Sequence, residues 1–294
     1  MTVPDTVRAH AIAPRPRPRP RRNRLVIALR DLPTMISVTL LTVLVLLAVA
    51  APWLFPDANT IAVIDRLRPP SFDNPLGTDD LGRDILGRLA HAAQLTLLIS
   101  LGAASLSIAL GIVWGMVSAV FRSWADEVLM RVADAIMAIP IVLFGLVFVA
   151  AFGTSVWSLI IVLGILQSPL SARVFRAATM SELSTDYVRG VVAVGVPRSR
   201  IIFSELLPNI VPTVIAQAVL NIASAVLIEA TLSFVGLGIQ PPQASWGSLL
   251  KSGYDVLFQA PWYSLAPAIA IVALLASLNV LGQRIQKSWG VRTS

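Results

Sequence analysis

The sequence predicts an all-α membrane protein with six transmembrane helices and with both termini in the cytoplasm. Hydrophobic residues occupy 56% of the 294 positions and charged residues only 13%. A water-soluble domain of this length cannot bury so much apolar surface, so the bilayer is the expected solvent. The apolar residues also fall in long separate runs, and a hydrocarbon core of about 30 Å needs about 20 helical residues.

The uncharged runs define the predicted crossings. They are residues 32–56, 89–121, 135–172, 206–228 and 256–283. The third run is too long for one crossing and is interrupted at 152–155, so we interpret it as two helices joined by a short turn. Residues 230–250 are also uncharged, but several Gly and Pro residues interrupt them, and exposed backbone of that kind is not tolerated in lipid. This segment is expected to be an irregular extracytoplasmic loop packed on protein.

Orientation follows from the distribution of basic residues. Eight Arg residues lie within residues 1–30, and placing this tail in the cytoplasm also puts Arg122, the 173–200 loop and the basic C-terminus inside. Repeated Arg-Pro pairs predict a disordered tail, since proline extends the backbone and like charges repel. Its expected role is to hold the N-terminus inside; binding of anionic lipid headgroups or of a partner is the alternative. The first apolar run exceeds a signal-peptide core of about 7–15 residues, so a retained anchor is favoured.

These segments divide the chain into four parts. Residues 1–30 form the basic tail, and 31–88 hold the first transmembrane helix and an extracytoplasmic segment. Residues 89–286 form the transmembrane core, which includes a short cytoplasmic helix near 184–195. Residues 287–294 form the C-terminal tail.

The longest cytoplasmic loop has the most informative pattern. Acidic residues stand early in its sequence SELSTDYVRGVVAV, which favours a helix that starts near Ser181 or Ser184. Gly195 and Pro197 then mark the end of the helix, because glycine accepts a left-handed cap and proline cannot continue the helix. A short amphipathic helix between two transmembrane helices is able to transmit force from a cytosolic protein.

The sequence DYVRGVVAVGVPRSRIIFSELLPN at 186–209 resembles the cytoplasmic loop of binding-protein-dependent ABC importer permeases. That family motif is Glu-Ala-Ala, three residues, Gly, nine residues, then Ile-x-Leu-Pro. Gly195, Leu207 and Pro208 match it in register.

This sequence departs from the motif at two places. Arg189, Gly190 and Val191 occupy the Glu-Ala-Ala positions, and Glu205 occupies the Ile position. Arg189 would therefore need an acidic partner where the family has a glutamate. The residues to which the resemblance assigns ATPase coupling are Asp186, Tyr187, Arg189, Gly190, Gly195, Arg198, Leu207 and Pro208.

Two further segments resemble the dipeptide/oligopeptide branch of these permeases. Residues 74–86, NPLGTDDLGRDIL, are similar to the segment after the first crossing, and residues 229–238, EATLSFVGLG, to the segment after the fifth. Asn279 in the last helix also fits, although Gln283 replaces the usual acidic residue. The similarity extends over residues 31–282.

The resemblance implies a fold, a set of partners and a location. The fold is that of a type I ABC importer permease, paired with a second homologous permease in the bacterial inner membrane. Two ATPase subunits or domains would use ATP and Mg, and an extracytoplasmic binding protein would deliver the substrate. The chain itself has no G-x-x-x-x-G-K-[ST] phosphate loop, no Cys and only two His, so we expect no catalytic site, cofactor or metal. The basic residues follow membrane topology, so nucleic acid is not an expected partner.

Polar residues within the spans are candidates for the transport pathway or its gate. They are Asp134, Gln217, Asn221, Ser224 and Glu229. Asp134 stands three residues after Arg131, which predicts a local ion pair, with gating as the alternative. The three residues at helical spacing from 217 to 224 either face the pore or bond neighbouring helices. Glu229 either anchors the irregular loop or lines the outer vestibule.

A charged cluster follows the first crossing. Asp79, Asp80, Arg83 and Asp84 open a predicted amphipathic helix that includes Arg88. We expect a solvated outer face here. Contact with the binding protein or the partner permease is the functional alternative.

The function that fits best is ATP-driven import of di- or oligopeptides. Nickel complexes, glutathione or another small solute are alternative cargoes within the same family. A proton-coupled secondary carrier acting alone is the alternative from another class, but it usually has an internal repeat, and none is seen. A scaffold without a pore is disfavoured by the polar residues in the spans.

Overall fold

The computed structural model describes residues 31–121 and 124–289, and this part of the chain is helical and has no strand beyond an isolated bridge. Its helices are α1 Leu32–Leu54, α2 Ile85–Val120, α3 Trp124–Met137, α4 Ile141–Phe152, α5 Val156–Leu183, α6 Asp186–Ala193, α7 Arg198–Phe234, α8 Trp246–Asp255 and α9 Pro261–Trp289. The predicted N-terminal tail, Arg122 and the last five residues lie outside the described residues.

Long apolar helices confirm most of the predicted crossings. α1, α2, α5, α7 and α9 are long and apolar enough to span a membrane. A sixth span results if α3 and α4 are counted together as one broken crossing.

The α3–α4 pair corrects the prediction for the first half of residues 135–172. Instead of one continuous helix, α3 and α4 are bent by 89° at their junction. Pro140 precedes α4, and proline both lacks an N–H and disfavours the helical conformation of the residue before it. The predicted second break is confirmed, because α4 ends at Gly153 and the side chain of Ser155 caps α5.

α2 and α5 pack closely through small residues at the centre of the bundle. A Cβ atom on Gly111 would lie 2.5 Å from the Cβ of Ser171, and one on Gly115 would lie 2.5 Å from the carbonyl oxygen of Ala172. These glycines form a G-x-x-x-G pattern, which lets two helix backbones approach in a membrane. α7 and α9 complete the bundle around this pair.

Both described ends of the chain lie at one end of the bundle. Arg284 of α9 forms a 2.6 Å ion pair with Asp31, which precedes α1. The loop at 184–206 lies at the same end, because Val188 and Ile201 share an apolar cluster with Met116 near the end of α2. We call this the loop end; the far end contains residues 55–84 and 235–260.

Buried charges at the far end pair with one another. One carboxylate oxygen of Asp79 accepts hydrogen bonds from Arg83 Nε at 2.7 Å and from Arg88 Nη1 at 2.6 Å, and Arg88 also contacts the hydroxyl of Tyr263 at 3.3 Å. The other carboxylate oxygen accepts the backbone N–H groups of Leu81 and Arg83. The prediction of a solvated face is therefore wrong for Asp79 and Arg88, because each neutralises the other inside the protein.

The irregular segment of the far end is shorter than predicted. α7 continues to Phe234, and α8 begins at Trp246 with a capping box on Ser245. The indole of Trp246 is buried and donates a hydrogen bond to the carbonyl of Leu89 at 2.9 Å. Packing of this segment on protein is thus confirmed.

Candidate functional site

The predicted cytoplasmic helix is α6, which lies between the end of α5 and the start of α7. It begins at Asp186, later than the predicted start near Ser181 or Ser184, because α5 continues to Leu183. Val188 is fully buried and packs with Leu206 and Ile210 of α7. Val191, one turn later, packs against the same apolar cluster, so one face of α6 is fixed to the bundle while the opposite face is open.

Gly195 ends this segment as predicted. Its φ is +81°, and its N–H donates to the carbonyl of Val192 at 3.0 Å. A side chain there would meet nothing within 4 Å. Glycine is therefore required by the left-handed backbone conformation and not by lack of space.

Tyr187 joins α6 to both neighbouring helices. Its hydroxyl donates to Glu182 Oε1 at 2.6 Å and accepts from Asn209 Nδ2 at 2.7 Å. Partial burial and the neighbouring Glu182 carboxylate raise the pKa of Tyr187 to about 12. The hydroxyl therefore remains a proton donor at neutral pH and links α5, α6 and α7.

The α6 loop presents charged groups to solvent. All eight residues named as coupling candidates lie on this loop or at the start of α7, and all except the half-buried Leu207 are exposed. Asp186 and Arg189 make no side-chain hydrogen bond or ion pair with any other described residue, whereas Arg198 lies over the ring of Phe121, 5.4 Å from its centroid. The loop thus offers one acidic and one basic group to a partner.

The start of α7 is distorted just before Pro208. Residues Ile201–Leu206 are π-helical, and the N–H of Leu207 donates to the carbonyl of Ile202, five residues earlier. Pro208 has no N–H to give to the preceding turn. Such widened turns often occur at functional sites.

A cavity of about 750 Å³ lies between the α3–α4 bend and helices α5, α7 and α9. Within the described part of the chain, its lining contains five uncharged polar residues and no ionisable side chain. The polar residues are Gln167, Gln217, Asn221, Ser224 and Asn279. A mostly apolar cavity with a few polar groups is the usual form of a small-molecule site.

A buried amide network forms part of the cavity wall. Gln217 Nε2 donates to Asn221 Oδ1 at 2.8 Å. Asn221 Nδ2 in turn donates to Ser107 Oγ of α2 at 3.0 Å and to Ser171 Oγ of α5 at 2.8 Å. Asn221 therefore bonds two neighbouring helices as well as lining the cavity, and Gln217 supports it from the preceding turn of α7.

Ser224 and Asn279 differ from this network. Both are exposed and line the cavity, and neither side chain makes a hydrogen bond with another described residue. Their hydroxyl and amide groups are free to bond a molecule in the cavity.

Asp134 does not line this cavity, and the local ion pair predicted for it is wrong. Its carboxylate binds Arg173 of α5, whereas Arg131 lies 3.8 Å from Glu127. α3 packs against α5, so the partner of Asp134 is on another helix. Asp134 and Arg131 line a separate groove of about 580 Å³ between α3 and α5.

Glu229 is fully buried near the end of α7 and lines neither of these spaces. It accepts a hydrogen bond from Ser233 at 2.6 Å, and Ser233 accepts one from Ser245 at 3.2 Å. This chain of contacts connects Glu229 to the irregular loop, the arrangement expected of an anchor.

Sequence reasoning missed one close ion pair at the loop end. Arg176 of α5 donates two hydrogen bonds to the carboxylate of Asp126 of α3, at 2.8 and 2.6 Å. Fifty residues separate the partners, so no local spacing indicates the pair. It also missed Ser107 and Ser171, although the nearby G-x-x-x-G pattern marks where those helices meet.

Known proteins similar to this chain identify its family. The family model described as "Binding-protein-dependent transport system inner membrane component" matches residues 107–291. A putative peptide transport system permease protein of Brucella suis biovar 1 (strain 1330) is 39% identical over 254 residues, 85% of each chain. The di/tripeptide transport system permease protein DppC of Pseudomonas aeruginosa (strain UCBPP-PA14) is 36% identical over 250 residues, 83% of this chain and 82% of its own. This chain therefore belongs to the family of inner membrane components of binding-protein-dependent transport systems, as a multi-pass permease.

Proposed function

We propose that this permease forms half of an ATP-driven import pathway for di- and oligopeptides. The observation that supports peptide as the cargo is the similarity to proteins named as peptide permeases, which extends over more than four-fifths of the chain. A second homologous permease supplies the other half of the pathway. An extracytoplasmic binding protein delivers the peptide.

The loop end faces the cytoplasm in this proposal, and α3 with α4 forms the sixth crossing. The ion pair between Asp31 and Arg284 supports placement of both termini on one side. The basic tail at 1–30 and the basic loop favour the cytoplasmic side for that end.

The α6 loop docks on an ATPase subunit. Its support is the exposed Asp186 and Arg189, which have no partner among the described residues and lie on a helix fixed to α5 and α7 through Tyr187. The ATPase subunits bind ATP and Mg, and their closure pushes α6 and moves the helices attached to it. This chain contributes no catalytic group.

The cavity is this chain's share of the peptide pathway. Ser224 and Asn279 present a free hydroxyl and a free amide, which are able to bond the N–H and C=O groups that every peptide has. The cavity has no His, Cys or carboxylate, and these are the groups that bind transition metals. The lining thus offers no ligand for the metal of a nickel complex, whereas its hydroxyl and amide groups match a peptide.

The test is transport by the complete complex in proteoliposomes, with the second permease, the ATPase subunits and the binding protein. We expect ATP-dependent uptake of radiolabelled trialanine, and no uptake when Mg is chelated. Nickel–histidine and glutathione serve as competing cargoes in the same vesicles. Uptake of either one without uptake of trialanine contradicts peptide import.

A further inference from the structure

We propose that α3 acts as a strut, a rigid helix that transmits movement of the α6 loop to the cavity wall. The Asp126–Arg176 ion pair is its joint, the contact through which α5 moves α3. The two residues are positioning residues for transport, since neither lines the cavity of about 750 Å³. This inference rests on the proposed function, because it describes how movement of α6 reaches the peptide pathway.

α3 touches the cavity at one end only. At its C-terminal end Ile136 and Met137 line the cavity, and the linker residues Ile139 and Pro140 continue the wall at the 89° bend. Any rotation of α3 therefore displaces this wall. Since Pro140 lacks the N–H that would continue the helix, α3 and α4 meet at a bend, and α3 is able to turn there without carrying α4 with it.

The body of α3 is held mainly by polar contacts. Ala133 is its only buried residue, so hydrophobic burial contributes little to its position. Arg176 binds Asp126 in a bidentate manner, and Ser118 of α2 donates a further hydrogen bond to the same carboxylate. Bidentate Arg–carboxylate pairs fix geometry as well as adding energy.

Arg176 lies on the last part of α5, which leads into α6. It is about two helical turns before Leu183, where α5 ends. Tyr187 and Val188 hold α6 against that end of α5, by the hydrogen bond to Glu182 and by packing with Leu183. Displacement of α6 thus moves Arg176, and Arg176 pulls Asp126 of α3.

A second pair, Arg173 with Asp134, connects the same two helices nearer the cavity. Its side chains are more exposed than those of the joint. Exposed ion pairs contribute little, whereas partly buried bidentate pairs contribute more. Asp126–Arg176 is therefore the main joint and Asp134–Arg173 a weaker one.

The experiment measures trialanine taken up per ATP hydrolysed by the complete complex in proteoliposomes. Asp126→Asn and Arg176→Gln are each expected to lower this ratio about tenfold, within the usual range of coupling between sites. ATP hydrolysis stimulated by the loaded binding protein should persist, because the α6 surface is intact. Loss of folded protein alone changes the amount of complex and not the ratio.

Two further variants separate coupling from folding. The reversed pair Asp126→Arg/Arg176→Asp should restore the ratio, since Ser118 is able to accept from a guanidinium as well as donate to a carboxylate. Arg176→Lys, which keeps the charge but loses the bidentate contact, should give an intermediate ratio. Glu127→Gln removes only the exposed Arg131–Glu127 contact on the same helix α3 and is the matched control, with an unchanged ratio.

The possible results distinguish failure of the α3 proposal from failure of peptide import. A wild-type ratio in Asp126→Asn and Arg176→Gln, or no rescue by the reversed pair, overturns the strut while peptide import stands. Absence of trialanine uptake by the wild-type complex contradicts the proposed function itself. Assembly of every variant is checked by size-exclusion chromatography of the purified complex.

Discussion

The two ends of this bundle use charged residues in opposite ways. At the far end Asp79 and Arg88 are 0% and 6% exposed, and their charges are satisfied within the protein. At the loop end Asp134 and Arg173 are 54% and 44% exposed although they are paired. A buried pair is costly to break because one partner is left as an uncompensated charge. An exposed pair costs little free energy to break, because water solvates both charges.

This difference separates a static end from a movable one. The far-end cluster fixes residues 55–84 to Tyr263 at the start of α9, which gives the proposed binding-protein side a rigid surface. The loop end instead has charges on α6 that pair with nothing in the described part of the chain, and ion pairs between α3 and α5 that are partly open to water. Movement that starts at the ATPase subunits is therefore expected to repack the loop end first.

The largest expected effect is on stability at the far end. Arg88→Met removes one of the two guanidinium groups bound to the buried Asp79 carboxylate and should lower the free energy of unfolding by about 3–5 kcal/mol. The measurement is thermal denaturation of the purified protein in detergent, followed by size-exclusion chromatography. Arg66→Met, the same change at an exposed position of the same segment, should have little effect. Equal stability of Arg88→Met and wild type contradicts a structural role for the cluster.

The smallest expected effect is at the exposed pair of the loop end. Asp134→Asn should lower the free energy of unfolding by less than about 1 kcal/mol, because the pair is open to solvent. The same denaturation assay measures it. If Asp134→Asn is as destabilising as Arg88→Met, the two ends do not differ as described.

The membrane spans were predictable because a long uncharged run is stable as a helix inside the bilayer. The α6 loop was predictable as well, since Gly195 and Pro197 mark its end by backbone chemistry alone. The bend at Pro140 was missed because the apolar run continues through it, although proline itself is a recognised break. The close α2–α5 contact had a readable signal in Gly111 and Gly115, whose spacing is typical of helix pairs in membranes.

Contacts between distant segments were not predictable. Asp134 had a basic residue at i−3, yet its partner is Arg173, 39 residues away. Asp79 is buried against Arg88, whose guanidinium also contacts Tyr263 of α9, and the local spacing of charges does not indicate that arrangement. The amide network of Asn221 likewise depends on two Ser residues supplied by other helices. Local spacing predicts helices, whereas partner choice depends on how the helices pack.

The most direct test of coupling through the α6 loop is the ratio of trialanine uptake to ATP hydrolysis in Gly195→Val. A β-branched residue is strained at a φ of +81°, so the end of α6 should shift while the permease stays folded in the membrane. Gly153→Val is the matched control, because Gly153 has a φ of +79° and open space around it at the far-end turn between α4 and α5. We predict a ratio about tenfold below wild type for Gly195→Val and a wild-type ratio for Gly153→Val. An unchanged ratio in Gly195→Val, or an equal loss in both, contradicts coupling through this loop.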